Sequence, residues 1–161
     1  MNRRREIANT LCVNRQSISL RAPALVFFIG VFSQAAVAVT ETGASSAVRQ
    51  LVEDWAAAWQ SGDFNEYASY YVGDFRGGFR SAEAWRKARR SRIAGRKDIR
   101  IDLGSVLVQL NRDDENIARA IFLQSYQSDT WCDVVEKTLM LVRTKNGWRI
   151  SDEMSSLRRR C

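Results

Sequence analysis

The sequence predicts an α+β domain in which three N-terminal helices pack in a curved antiparallel sheet of four to six strands. Two observations carry this. Between Val48 and Ile93 the apolar side chains recur at helical spacing, and from Asp98 onward the period changes to two. A third, the dipeptide Asn146-Gly147 between two apolar runs, predicts a two-residue hairpin and therefore neighbouring antiparallel strands.

Val48, Leu51, Val52, Trp55 and Trp59 form one stripe of the first helix, with Arg49, Gln50, Glu53, Asp54 and Gln60 opposite. The small polar residues 39–46 read as a flexible lead-in whose last serine caps this helix. Gly62 stands where a left-handed cap is wanted, and Asp63 with Glu66 has the spacing of a capping box. Phe64, Tyr67, Ala68 and Tyr71 carry the stripe into a second helix. Val72 to Phe79, rich in glycine and aromatics, reads as a short hairpin or extended bridge. Ser81 caps a third helix, Ala82 to about Gly95, with Ala82, Trp85, Arg89, Arg92 and Ile93 on one side and Glu83, Arg86, Lys87 and Arg90 on the other.

Ile99, Ile101 and Leu103 alternate with Arg100 and Asp102; Gly104 marks a bend before Val106, Val108 and Leu110. After a charged turn at 111–116, the run from Ile117 places Ala118, Ala120, Phe122, Gln124 and Tyr126 on one face. The strand from about Cys132 to Thr144 is apolar on both faces in its second half, which suits a central strand. Trp148 to Met154 makes the last strand, and residues 155–161 read as a basic, frayed tail. The domain proper is thus 47–154.

The chain has 161 residues, 45% hydrophobic and 27% charged, with a net charge of +7. Residues 1–38 hold five basic residues and one acidic one, so the remainder carries 20 basic against 17 acidic. The excess is local: Arg76 to Arg100 has ten Lys or Arg against Glu83 and Asp98. Such a patch reads as a solvated helix face or an anion-binding surface, with Arg86, Lys87 and Arg90 as its candidates.

Residues 1–38 have the three parts of a secretory signal: a basic region ending at Arg21, an apolar run from Ala22, and Ala36-Val37-Ala38 before a cleavage site after Ala38. A periplasmic or secreted protein follows; an uncleaved segment would instead leave a membrane-anchored scaffold. Export makes nucleic acid an unsuitable partner for the basic patch and points to an envelope polymer or envelope protein. Cys132 and Cys161 are then an even pair in an oxidising compartment. A bridge between them would close a loop of about 30 residues and contribute ~3 kcal/mol; a strand cysteine and a free terminal thiol are the alternative.

Trp55, Trp59, Gly62-Asp63, Tyr67, Tyr71 and Asp74-Phe75, then Phe122-x-Gln124-x-Tyr126, Lys137-Thr-Leu139 and Gly147-Trp148-x-Ile150, resemble the nuclear transport factor two-like (SnoaL-like) superfamily over about residues 46–154. Within it the chain resembles the small accessory domain of bacterial envelope proteins, including that appended to L,D-transpeptidases. The resemblance implies a cone with an apolar interior and a homodimer formed through the sheet. It leaves the activity open, because the superfamily holds isomerases, dehydratases and hydrolases alongside non-catalytic modules. The sequence contains no histidine. Transpeptidase chemistry, which pairs cysteine with histidine, is therefore absent, as are the histidines of scytalone dehydratase, and no stretch matches a ketosteroid isomerase site.

No catalytic motif, metal cluster or cofactor motif emerges from the sequence. A carboxylate base among Asp74, Glu136, Asp152 and Glu153, with Tyr70, Tyr71 or Tyr126 as donor, would make an isomerase or lyase; strand-edge ion pairs are the plainer reading of those carboxylates. Gln124, Tyr126 and Lys137 on adjacent strands predict a polar cluster on the concave face, with Arg89, Arg92, Tyr71 and Glu153 as further pocket candidates. The first expectation is an exported, non-catalytic binding or accessory module of the cell envelope, with a link to peptidoglycan or cell-wall processes.

Overall fold

The computed structural model describes residues 43–161. The signal segment, its cleavage after Ala38 and the first residues of the lead-in lie outside the described residues. Three helices precede five strands: α1 Gly43–Ser61, α2 Phe64–Ser69, α3 Ala82–Ala94, β1 Arg100–Leu103, β2 Leu107–Leu110, β3 Ile117–Gln127, β4 Cys132–Thr144 and β5 Gly147–Arg160. They form one antiparallel sheet in the order β1-β3-β4-β5, with β2 also pairing β3 beyond the break at Gly104.

α1 starts at Gly43, earlier than the lead-in 39–46 allows. Ala44, one turn before the buried Val48, packs on the core and draws the first turn into the helix. Gly62 takes φ +79 to end α1. Asp63 then caps α2, its carboxylate accepting from the backbone N–H groups of Asn65 (2.9 Å) and Glu66 (3.0 Å). Ser81 caps α3 by accepting from Ala84 N–H. The segment after α2 is a chain of turns, tied to the sheet by Val72 N–H to the Ile150 carbonyl (2.9 Å) and Ile150 N–H to the Tyr70 carbonyl (2.8 Å).

Period-two alternation sets the sheet's faces. On β3, Ala118, Ala120, Phe122, Gln124 and Tyr126 are buried, and the residues between them are half-buried or exposed. β4 lies between β3 and β5, as its two-faced apolar half requires. The helices fill the concave side: Trp55, Tyr67, Phe75 and Trp85 meet Phe122, Leu139, Leu141 and Ile150 there. Trp85, on the same side of α3 as Arg89 and Ile93, is 1% exposed and belongs to this core.

Two segments of the chain differ from expectation. The β4–β5 loop is Lys145–Asn146, because Thr144 pairs with Gly147. Gly147 alone takes a positive φ (+92), the arrangement of a turn followed by a glycine bulge. And the segment 155–161 is no tail: β5 runs to Arg160, pairing with β4 as far as Asp133↔Arg160, with a register shift between Val134 and Val135. Ladder bonds are made by backbone, so the long β4 supplies partners whatever the polarity of the side chains opposite.

Candidate functional site: a cationic cavity at the mouth of the cone

α3 and the concave faces of β3 and β4 enclose a cavity of about 500 Å³. α3 contributes Arg89, Arg92 and Ile93, and Arg96 follows just past its end. β3 contributes Gln124 and Tyr126, β4 contributes Asp133, Val135 and Lys137, and Trp59, Trp131 and Ser155 complete the wall. The lining thus holds four cations and one carboxylate. Among the described residues no ion pair engages Arg92 or Arg96.

Gln124 is 2% exposed, and its Oε1 has no hydrogen-bond partner. That buried acceptor is shut off from solvent as well as unpaired; the acceptor of the lining that suits a ligand N–H or O–H is the Asp133 carboxylate. The rest of the lining suits an acid with an apolar or ring-shaped body: aromatic faces of Trp59, Tyr126 and Trp131 beside guanidinium groups.

Behind the cavity lies a polar chain that meets the lining at Arg89 and Lys137. Lys137 Nζ donates to Glu153 Oε1 at 2.6 Å, and Arg89 lies 3.8 Å from the same oxygen. Tyr71 donates its hydroxyl proton to Glu153 Oε2 at 2.7 Å. Trp55 Nε1 donates to the Tyr71 oxygen at 3.0 Å, and Tyr67 Oη lies 2.7 Å from it. Because the single Tyr71 proton is committed to Glu153, Tyr67 is the donor in that pair, which fills both lone pairs of Tyr71. Burial would raise the Glu153 carboxyl, but Lys137 and Arg89 together with the two hydrogen bonds outweigh it and hold it below its ordinary value. Burial, then the Glu153 charge, pushes Tyr71 well above its ordinary value. Burial disfavours the Arg89 cation, but Tyr67, Glu153 and Tyr71 prevail and raise it.

A carboxylate base needs a raised pKa and a free lone pair facing substrate. Glu153 has a depressed pKa and both oxygens engaged, which makes it a structural anchor rather than a base. The cations and the buried network suit recognition of charge. Among the described residues no group of three His, Cys, Asp or Glu could hold a metal, and no helix is long and apolar enough to cross a membrane.

The structure brings Arg89, Arg92, Gln124, Tyr126 and Lys137 together in the cavity and sets Tyr71 and Glu153 behind it. Arg86, Lys87 and Arg90 lie outside it: Arg86 stacks over Trp85 and Arg90 over Phe64, whose neighbour Asn65 also accepts from Arg90. Cys132 and Cys161 are bridged. Sequence reasoning missed Arg96, Asp133, Val135, Ser155 and Ile93, and read Trp59 only as part of the apolar stripe of the first helix. Arg96, a helical turn beyond Arg92, could have been found by extending the α3 face by one residue.

Residues 47–154 match the family model described as the Cds6 C-terminal NTF2-like domain. No curated protein matches the chain. Among solved structures the chain is similar to Bd1075 of Bdellovibrio bacteriovorus, with 23% identity and a TM-score of 0.62 over 70% of this chain and 40% of that one. It is similar to an NTF2-like protein of unknown function from Pseudomonas putida, with 20% identity and a TM-score of 0.62 over 72% and 87%. The helical cell shape determining protein Pgp2 of Campylobacter jejuni, as its K307A mutant, gives 21% and 0.60 over 68% and 41%. At such identities the likeness is one of fold, and the chain spans about 40% of the length of Bd1075.

Proposed function

The chain belongs to the Cds6 C-terminal NTF2-like domain family, and on that premise we propose that it is an exported, non-catalytic binding module of the bacterial cell envelope that takes an acidic ligand into its cone. The observation that carries this is the cavity lined by Arg89, Arg92, Arg96 and Lys137, with the carboxylate of Asp133 among them. A cationic pocket with one carboxylate in its wall fits a ligand that offers both an anion and a hydrogen-bond donor. Carboxylates beside amide N–H groups have that chemistry, as in the peptide stems of peptidoglycan. The signal-like residues 1–38 support export. The likeness to a helical cell shape determining protein supports a cell-wall setting, in which this module accompanies enzymes such as L,D-transpeptidases rather than acting as one. The exposed apolar residues of the convex sheet face support a homodimer.

The reading is tested by titrating a muropeptide digest into the isotopically labelled protein and by co-sedimenting the protein with intact sacculi. Chemical-shift changes confined to the cavity, at Trp59, Gln124 and Trp131, are expected, with co-sedimentation lost in Arg92→Ala/Arg96→Ala. A digest that shifts no cavity resonance and sacculi that retain no protein would overturn it.

A further inference from the structure

We infer that the Cys132–Cys161 bridge is a clasp that fixes Trp131 as a stacking platform at the mouth of the cavity, so that affinity for the ligand depends on the oxidation state of the bridge. This rests on the reading of the cavity as the binding site and adds its regulation.

Trp131 lines the cavity and is 42% exposed, yet its indole is held on two sides. Nε1 donates to Asp133 Oδ2 at 2.7 Å, and the Arg160 guanidinium lies 4.9 Å from the ring centroid. Asp133 and Arg160 are partners across the β4–β5 ladder, and Cys132 and Cys161 stand one residue before and after them with Cα atoms 5.5 Å apart. The bridge, the indole and its two partners therefore form one closed cluster at the cavity rim.

Apart from the backbone ladder to β4, little else holds that end of β5. Every residue from Met154 to Cys161 is exposed, and the register slips between Val134 and Val135. The Arg158–Glu136 ion pair nearby is exposed on both sides and weak for that reason. A strand end with no buried side chain frays readily once its covalent tie is cut. The backbone of Trp131 is anchored independently, its carbonyl accepting from Ser128 N–H at 2.8 Å. Cutting the bridge thus frees Arg160 from the ring while the loop and the Nε1–Asp133 bond stay in place, and the indole loses the cation that fixes its face.

Reduction breaks the S–S bond with two electrons and two protons, supplied by a dithiol that closes to its own cyclic disulfide, and yields two thiols. The ligand gains most where a flat or ring-shaped body lies against Trp131 while its anion meets Arg92 and Arg96.

The experiment uses 1-anilinonaphthalene-8-sulfonate as probe, which carries a sulfonate, flat rings and an N–H donor, titrated by fluorescence into the whole chain before and after dithiothreitol. Binding to the reduced protein should weaken three- to tenfold, the range an aromatic contact contributes. Trp131→Ala should weaken it equally and make it insensitive to reduction, and Cys132→Ser/Cys161→Ser should match the reduced protein. Oxidised Arg92→Ala/Arg96→Ala decides the underlying reading separately: unchanged probe affinity there sinks the cavity as the site. If that variant binds weakly but reduction and both rim variants leave affinity unaltered, the cavity stands and the clasp is refuted.

Discussion

Lys137 Nζ and Glu153 Oε1 lie 2.6 Å apart on the concave face of the sheet, where Lys137 is 4% exposed. The two residues sit on adjacent strands, two rungs apart: Lys137 pairs with Ser155, and Glu153 with Leu139. The pair separates the aromatic depth of the cone from its cationic mouth. It also gives Glu153 the counter-charge without which a carboxylate would not stay ionised there.

Removing one partner of a buried pair leaves the other uncompensated. Lys137→Met should therefore destabilise the domain by about 3–5 kcal/mol, read as a lowered midpoint in urea unfolding. Adding Glu153→Gln should restore part of that loss, since the amide needs no counter-charge. A single variant as stable as the parent would show that Arg89 alone suffices for Glu153.

The same carboxylate gives the pH dependence. Its folded pKa is below its unfolded value, so its contribution to stability is complete above the ordinary carboxylate range and is lost as pH falls through the depressed folded value. Thermal unfolding followed from pH 7 downward should show a fall in melting temperature that Glu153→Gln flattens. Equal slopes in parent and variant would remove Glu153 from the acid transition.

Much of the fold was legible because alternation and helical spacing are direct consequences of one-sided burial. Gln124, Tyr126 and Lys137 were found that way, from their positions on buried faces. The pairing of Glu153 with Lys137 was not legible, since it depends on cross-strand register, which a single strand does not encode. Asp133 and the extension of β5 stayed hidden for a related reason: Ser-Ser-Leu-Arg-Arg-Arg has no alternation to read, and only the presence of β4 makes it a strand. The share of Trp59 in the cavity wall was missed because one apolar stripe serves both core and cavity wall.

Gly77 sets a separate test of how tightly the turn after α2 packs on the core. Its φ is +50, and a Cβ there would lie 2.9 Å from Trp85 Cδ1 and 3.0 Å from Phe75 Cε1. Gly77→Ala should cost roughly 1–3 kcal/mol through backbone strain and displacement of the buried indole. Near-ultraviolet circular dichroism should report the Trp85 movement. An unaltered spectrum with full stability would mean that the turn shifts without disturbing the ring.

The convex face gives the last test. Leu107 and Leu123 are 55% and 49% exposed, and Met154 is 53% exposed. The rungs Leu107↔Ile121, Ile121↔Thr138 and Thr138↔Met154 align them into a band across four strands, with Leu123 two residues along β3 on the same face. An apolar band of this kind is the surface a second copy would cover. Leu123→Asp/Met154→Asp places two charges in that band without touching the cavity, so it should convert a dimer into monomers while leaving ligand affinity unchanged. Sedimentation equilibrium decides: a parent protein that sediments as a single chain at every concentration would refute the homodimer, and a double variant that stays dimeric would move the interface elsewhere.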